Sequence, residues 1–187
     1  SELFDSLLRY VDCPDGDQQH KALLTLECFS ELAPWLVDRD VLTLLASHQD
    51  WAVRSAASGI CMNLSIYAPD RVPIDVLLKL ARDDEDYYVY APAVAAILNM
   101  VSTRPTLLSI FFTRLRSDSQ QTRASAAYAL LRIADREPYV LDSGELRRAL
   151  HRLETLSDTE ARDHLCKALN KTLSMTQENT ARASRYK

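Results

Sequence analysis

Apolar residues along this chain recur at helical rather than strand spacing. Leu3, Leu7, Leu8 and Val11 form an i, i+4, i+8 stripe, which predicts an amphipathic helix over 3–11. Cys13-Pro14-Asp15-Gly16 reads as a turn, Asp17 as the cap of the next helix, and Leu24, Cys28 and Leu32 as its core stripe, ending at Pro34. The same alternation of a shorter and a longer helix continues: 37–47 then 50–67, 73–82 then 86–101, 105–116 then 119–135. A fifth pair runs from about Gly144 to Leu156, capped by Ser143, and from Asp158 to about Met175. Pro73 and Pro105 suit first helical turns, where the missing N–H has no intrahelical partner. The prediction is an all-α chain, a right-handed α-α superhelix or α-solenoid of about five helix pairs. It fills 1–176, with repeats at approximately 3–34, 35–69, 70–104, 105–138 and 139–175. Residues 177–187 lose the periodicity and read as a C-terminal tail.

The longer helices share a pattern. A capping residue is followed four positions later by a long cation, then by small and apolar residues. The slot falls at Lys21, Arg54, Tyr90, Arg123 and Arg162, with spacings of 33, 36, 33 and 39. Three residues on stand Leu24, Ala57, Ala93, Ala126 and Leu165; seven on stand Cys28, Cys61, Ile97, Leu130 and Leu169. Fifteen on, Pro69, Pro105 and Pro138 coincide. A two-helix period in the thirties means that no unit buries its own stripe and each stacks on its neighbours.

The start of the second helix in repeat two, Asp50-Trp-Ala-Val53-Arg54-Ser-Ala-Ala57, resembles the Asp-x-x-Val-Arg-x-x-Ala-Ala motif of HEAT repeats, especially the short bacterial type also seen in phycobilisome lyase relatives. Gln121-Thr-Arg123-Ala-Ser-Ala126-Ala127 matches it in part. The resemblance spans about 3–175 and implies an armadillo-like helical fold. It also implies that the cation slot, Lys21, Arg54, Arg123 and Arg162, is structural and pairs with acidic residues of adjacent turns. Repeat three departs, with Tyr90 in the slot and Pro92 two residues later. A proline there removes a backbone bond, so this helix is expected to start near Ala91 or to kink. Neither the Thr-Pro-Leu-His start of ankyrin repeats nor the Trp-x-x-Leu-Gly pattern of tetratricopeptide repeats occurs.

Composition narrows the function. The 187 residues are 47% hydrophobic and 26% charged, ordinary for a globular chain, and only three are glycine, which excludes both Gly-rich phosphate loops. No apolar run approaches a membrane span and no signal pattern opens the chain, so a cytoplasmic protein is expected. Cys13, Cys28, Cys61 and Cys166 form no C-x-x-C pair. Cys28 and Cys61 share one repeat slot and are expected to pack as small buried hydrophobes. His20, His48, His151 and His164 lack metal-ligand spacing, and the acidic runs Asp12 to Asp17 and Asp83 to Asp86 lack the oxygen alternation of a calcium loop. No cofactor, metal site or catalytic constellation is expected.

What remains is the helix face opposite the stripe. At about 100° per residue from the slot, offsets 3, 4, 7, 10 and 11 gather on one side and 2, 5, 9, 12 and 16 on the other. In a HEAT-type solenoid that second set lines the concave groove. Asn63, Asn99, Tyr128, Arg132, Lys167 and Lys171 are the expected partner-binding ladder, with Gly59 and Ala95 leaving its middle open. Residues 1–100 carry 7 Lys plus Arg against 16 Asp plus Glu, net −9; residues 101–187 carry 15 against 10, net +5. Such polarity suits a protein partner with an acidic or bipolar segment. A non-catalytic protein-interaction scaffold is the expected function. Nucleic-acid binding through the basic C-terminal half is the first alternative, and a HEAT-like lyase or glycosylase the second.

Overall fold

The computed structural model describes residues 6–83 and 86–184, the side chains of 83 and 179–184 excepted. All regular structure among them is helical: α1 Gly16–Leu32, α2 Arg39–Leu45, α3 Trp51–Tyr67, α4 Ile74–Asp83, α5 Tyr87–Met100, α6 Ser109–Arg114, α7 Gln120–Arg136, α8 Ser143–Thr155 and α9 Thr159–Ser184. Of the helix expected over 3–11, Ser6 to Leu8 are helical and Leu3 lies outside the described residues. Two of the acidic run Asp83 to Asp86, Asp84 and Glu85, also lie outside them. Helix α9 continues to Ser184, past the expected start of the tail at Gln177. No helix among the described residues is long and apolar enough to cross a membrane.

The chain divides into two compact units, residues 1–100 and 101–187. In the first, α3 lies between α1 and α5, with α2 packed on α3 and α4 on α5. Its core is Leu26, Val53, Ala57, Ile60, Cys61, Leu64, Leu77, Val89, Ala93 and Ile97, all sealed from solvent. In the second unit α7 lies against α9, α6 packs on α7 and α8 on α9. Phe111, Ala126, Ala127, Leu130, Ile133, Leu146, Leu153, Leu165 and Ala168 form its core. Alanines three residues after the slot let long helices approach closely, and the larger residue four positions later fills the space between them.

Helix starts are set by carboxylates and hydroxyls that satisfy the first free N–H groups. Asp50 accepts from Ala52 N (2.9 Å), Asp86 from Tyr88 N (2.8 Å), Ser119 from Thr122 N (3.3 Å) and Asp158 from Ala161 N (3.2 Å). Two caps differ from expectation. Asp15, not Asp17, caps α1, accepting from Asp17 N at 3.0 Å, and Asp142, not Ser143, caps α8. Four long helices, α1, α3, α5 and α7, give way to a 3-10 turn opened by proline: Pro34–Leu36, Pro69–Arg71, Pro105–Leu108 and Pro138–Val140. The residue before each proline has φ between −135° and −153° and ψ between 60° and 68°. That departure from the helical region is what a following proline ring enforces, by clashing with a helical residue before it.

These prolines place the repeat register. Pro34 lies fifteen residues after Gln19, as Pro69 does after Arg54. In repeat one the slot is therefore Gln19, two residues before the expected Lys21. Leu24 and Cys28, expected in the core, are exposed, whereas Ala22 and Leu26, three and seven after Gln19, are buried. Cys61 does pack in the core, where burial pushes its thiol up to about 12.

Helix α5 neither starts late nor loses its first turns to Pro92. It begins at Tyr87, after Asp86. Pro92 cannot donate to the Tyr88 carbonyl, and Ser55 Oγ of α3 donates to that oxygen instead, at 2.9 Å. Ser58 Oγ donates to the next carbonyl, Val89 O, at 2.5 Å. The donor missing in one repeat is supplied by the Ser55 hydroxyl of the repeat before it.

Candidate protein-binding face

The slot residues tie turns together. Arg54 Nη1 donates to His48 O (3.0 Å) and Gln49 O (2.8 Å), six and five residues upstream. Arg123 Nη1 does the same to Ser117 O (2.8 Å) and Asp118 O (2.9 Å), and its Nε donates to Asp158 Oδ2 of the next helix at 2.8 Å. Both partners of this ion pair are buried. Gln19 reproduces the arrangement without charge: its Nε2 donates to Val11 O at 2.7 Å and to Asp50 Oδ2 at 3.3 Å. Lys21 instead pairs with Asp17 in solvent. Arg162 Nε is enclosed with no hydrogen-bond partner among the described residues. The turn before it differs, since Ser157 adopts φ 54°, the left-handed region that disfavours a side chain.

The six ladder positions divide into two kinds. Asn63 and Asn99, in the first unit, are rungs between long helices. Asn63 Nδ2 donates to Glu27 O and Ser30 Oγ, both at 3.1 Å, and Asn99 Nδ2 donates to Ser65 Oγ at 2.9 Å. Their amide groups, expected to meet a partner, donate between repeats instead. Gly59 is not open space either. A Cβ there would stand 3.0 Å from Glu27 Cδ, so the glycine admits the Glu27 carboxyl from α1. Burial pushes that carboxyl up to about 7. The first unit also exposes Leu24 and Leu32 of α1 and Ile66 and Tyr67 of α3. Tyr67 Oη donates to Glu31 at 3.2 Å, a bond that raises the phenol's pKa.

In the second unit Tyr128, Arg132, Lys167 and Lys171 are exposed on the neighbouring helices α7 and α9. Tyr128 stands edge-on to His164, ring centroids 5.4 Å apart, which fixes the phenol while leaving half of it in solvent. Lys171 pairs with Asp135 across the two helices. Lys167 pairs with Asp163 one turn earlier at 2.5 Å, and that hydrogen bond lowers the Asp163 pKa. Arg132 has no ion-pair or hydrogen-bond partner among the described residues, so its five donors face solvent. The face therefore offers one fixed aromatic ring, one unpaired guanidinium and two lysines that a stronger anion can take from their present partners. Among the described residues no group of three or more His, Cys, Asp or Glu gathers to hold a metal.

Gln19 is the structural residue that a cation pattern does not reveal. The signal was in the chain, in the spacing to Pro34. The hydroxyl rungs Ser30, Ser55, Ser58 and Ser65 carry no comparable signal, because serine is as common on solvated helix faces.

No protein-family model matches the chain, and no curated protein matches it closely. Solved structures do. Two engineered proteins superpose with TM-scores of 0.53 and 0.54 at 21% and 20% identity, over 91% and 90% of this chain and 79% and 47% of theirs. A computationally designed armadillo-repeat protein for modular peptide recognition superposes with a TM-score of 0.52 at 18% identity, over 88% of this chain and 80% of its own. The fold is that of armadillo-type helical repeats.

Proposed function

We propose that the chain is a non-catalytic protein-interaction scaffold of the HEAT type, which holds an acidic segment of a partner protein against the exposed face of α7 and α9. The observation that carries this reading is the unpaired Arg132 beside the fixed ring of Tyr128, with Lys167 and Lys171 on the adjoining helix. Arginine binds carboxylates through two parallel N–H bonds, and tyrosine gives contact area at little cost in side-chain freedom. A neighbour of this fold that was designed for modular peptide recognition supports the reading. The non-catalytic part rests on the acid–base groups of the face, since Asp135 and Asp163 are engaged by Lys171 and Lys167. For the lyase or glycosylase alternative, Glu27 is the group to substitute, because its carboxyl titrates near neutrality.

The test is retention on an array of synthetic acidic peptides. Arg132→Glu with Lys167→Glu should abolish it without loss of helicity. Arg9→Glu with Lys21→Glu, the same change of charge in the first unit, should leave it intact. Retention that survives the first pair and fails with the second refutes the assignment of the face. Retention on RNA that falls steeply with salt and exceeds that on peptides would favour the nucleic-acid alternative, for which the net +5 of residues 101–187 speaks.

A further inference from the structure

On the layer of shorter helices in the second unit, the end of α6 and one stripe of α8 enclose a cavity of about 190 Å³ lined by Phe112, Leu115, Arg116, Glu145, Arg148, Ala149 and Arg152. Glu145, Arg148, Ala149 and Arg152 fall at i, i+3, i+4 and i+7, so the helix presents them together. None of the three guanidiniums has a hydrogen bond or ion pair with another described residue, and all three are exposed. Arg148 and Arg152 are like charges one turn apart, an arrangement that weakens a helix. The packing of the unit does not require it, because α8 buries Leu146 and Leu153 on another side.

We propose that this cavity is a docking subsite for a phosphorylated serine or threonine side chain of a protein partner. Three guanidiniums against one carboxylate leave an excess of two positive charges, which matches a phosphomonoester near neutral pH; a single carboxylate would leave one charge unmatched. Guanidinium forks suit phosphate oxygens, and clusters of arginine are a recurring way to read phosphorylated segments. The volume admits one side chain and falls below the range of about 300 to 1,000 Å³ for small-molecule sites. Phe112, Leu115 and Ala149 form the apolar wall that the methylene or methyl of such a residue would touch. A nucleic-acid backbone would call for a stripe of such sites rather than one walled pocket. The subsite lies on other helices than the proposed acidic-peptide face and does not rest on it.

The experiment uses the full chain and a fluorescein-labelled library of short peptides with a fixed central phosphoserine, read by polarisation. The phosphorylated library should bind at least about tenfold tighter than the same library with serine or glutamate at that position. Arg148→Gln with Arg152→Gln should erase the difference, Glu145→Gln should tighten binding about two- to threefold by removing the repelling carboxylate, and Arg132→Glu with Lys167→Glu should leave the difference unchanged. Should the double glutamine variant fail to fold, Arg148→Lys and Arg152→Lys keep the charge, lose the fork and should each weaken binding severalfold. Equal binding of phosphorylated and serine libraries would overturn the proposal. So would a preference that survives loss of both arginines, competition by inorganic phosphate as effective as by phosphopeptide, or stronger arginine-dependent binding of RNA.

Discussion

Replacing Arg123 by alanine removes three donors at once: Nε to Asp158 and Nη1 to Ser117 O and Asp118 O. The two carbonyls sit on a turn that water reaches, so their loss costs little. The carboxylate is different. Asp158 is 1% exposed and would keep only Ala161 N–H, so a buried charge would stand without its cation. Breaking one side of a buried ion pair costs about 3 to 5 kcal/mol. With a urea slope of about 1 to 3 kcal/mol per molar, the unfolding midpoint should fall by at least about 1 M. The companion variant Arg123→Ala with Asp158→Asn isolates the cause. Asparagine caps a helix as well as aspartate does but carries no charge, so the pair of changes should recover at least about 1 kcal/mol of the loss. Urea unfolding followed by circular dichroism measures both. A cost below about 1 kcal/mol for the single variant, or no recovery in the double, would refute the reasoning that the stranded charge is what hurts.

Three further outcomes follow from the same structure. Leu130→Ala opens a cavity at a fully buried position and should cost about 2 to 5 kcal/mol in the same assay. Ser157→Gly relieves a left-handed residue at φ 54° and should stabilise by up to about 1 kcal/mol; destabilisation would mean that the Ser157 side chain has a role of its own. Glu27 titrates near 7 in the folded chain against 4.5 for a free side chain, so the native state holds the proton more tightly. Its contribution is fully present below about pH 4.5 and is lost as the pH rises through 7. Glu27→Gln should therefore gain on the parent between those values, by roughly 1 kcal/mol after allowance for screening at a partly buried site, and a carboxyl midpoint near 4.5 by NMR would contradict the burial argument.

The all-helical, two-helix repeat was legible because it is written redundantly: the apolar spacing, the capping residues and the prolines each give the same period. Where only one of those signals was followed, the register slipped. Lys21 fits the pattern as a cation, yet the slot requires a donor that spans a turn carbonyl and the next helix cap, which Gln19 supplies with a neutral amide. The same slip put Leu24 and Cys28 in the core. Exposure along the expected ladder was legible only in its second half. Tyr128, Arg132, Lys167 and Lys171 are exposed as the helical count places them, but Asn63 and Asn99 are spent on Ser30 and Ser65. A helical wheel gives the direction of a side chain and not the distance to the next helix, and that distance decides whether an asparagine meets a partner or a neighbouring repeat. Pro92 announces a missing donor in the sequence itself. Its remedy in Ser55 belongs to another helix and leaves no mark near the proline.

The most direct test of the proposed face is a titration of the isotope-labelled chain with a synthetic acidic peptide that alternates glutamate with apolar residues, followed by NMR. The account predicts that the largest shifts fall on the Tyr128 ring, the Arg132 Nε–H and the amides around Lys167 and Lys171. It also predicts that Arg132→Glu removes them. Shifts confined to the first unit, or centred on α6 and α8, would contradict it.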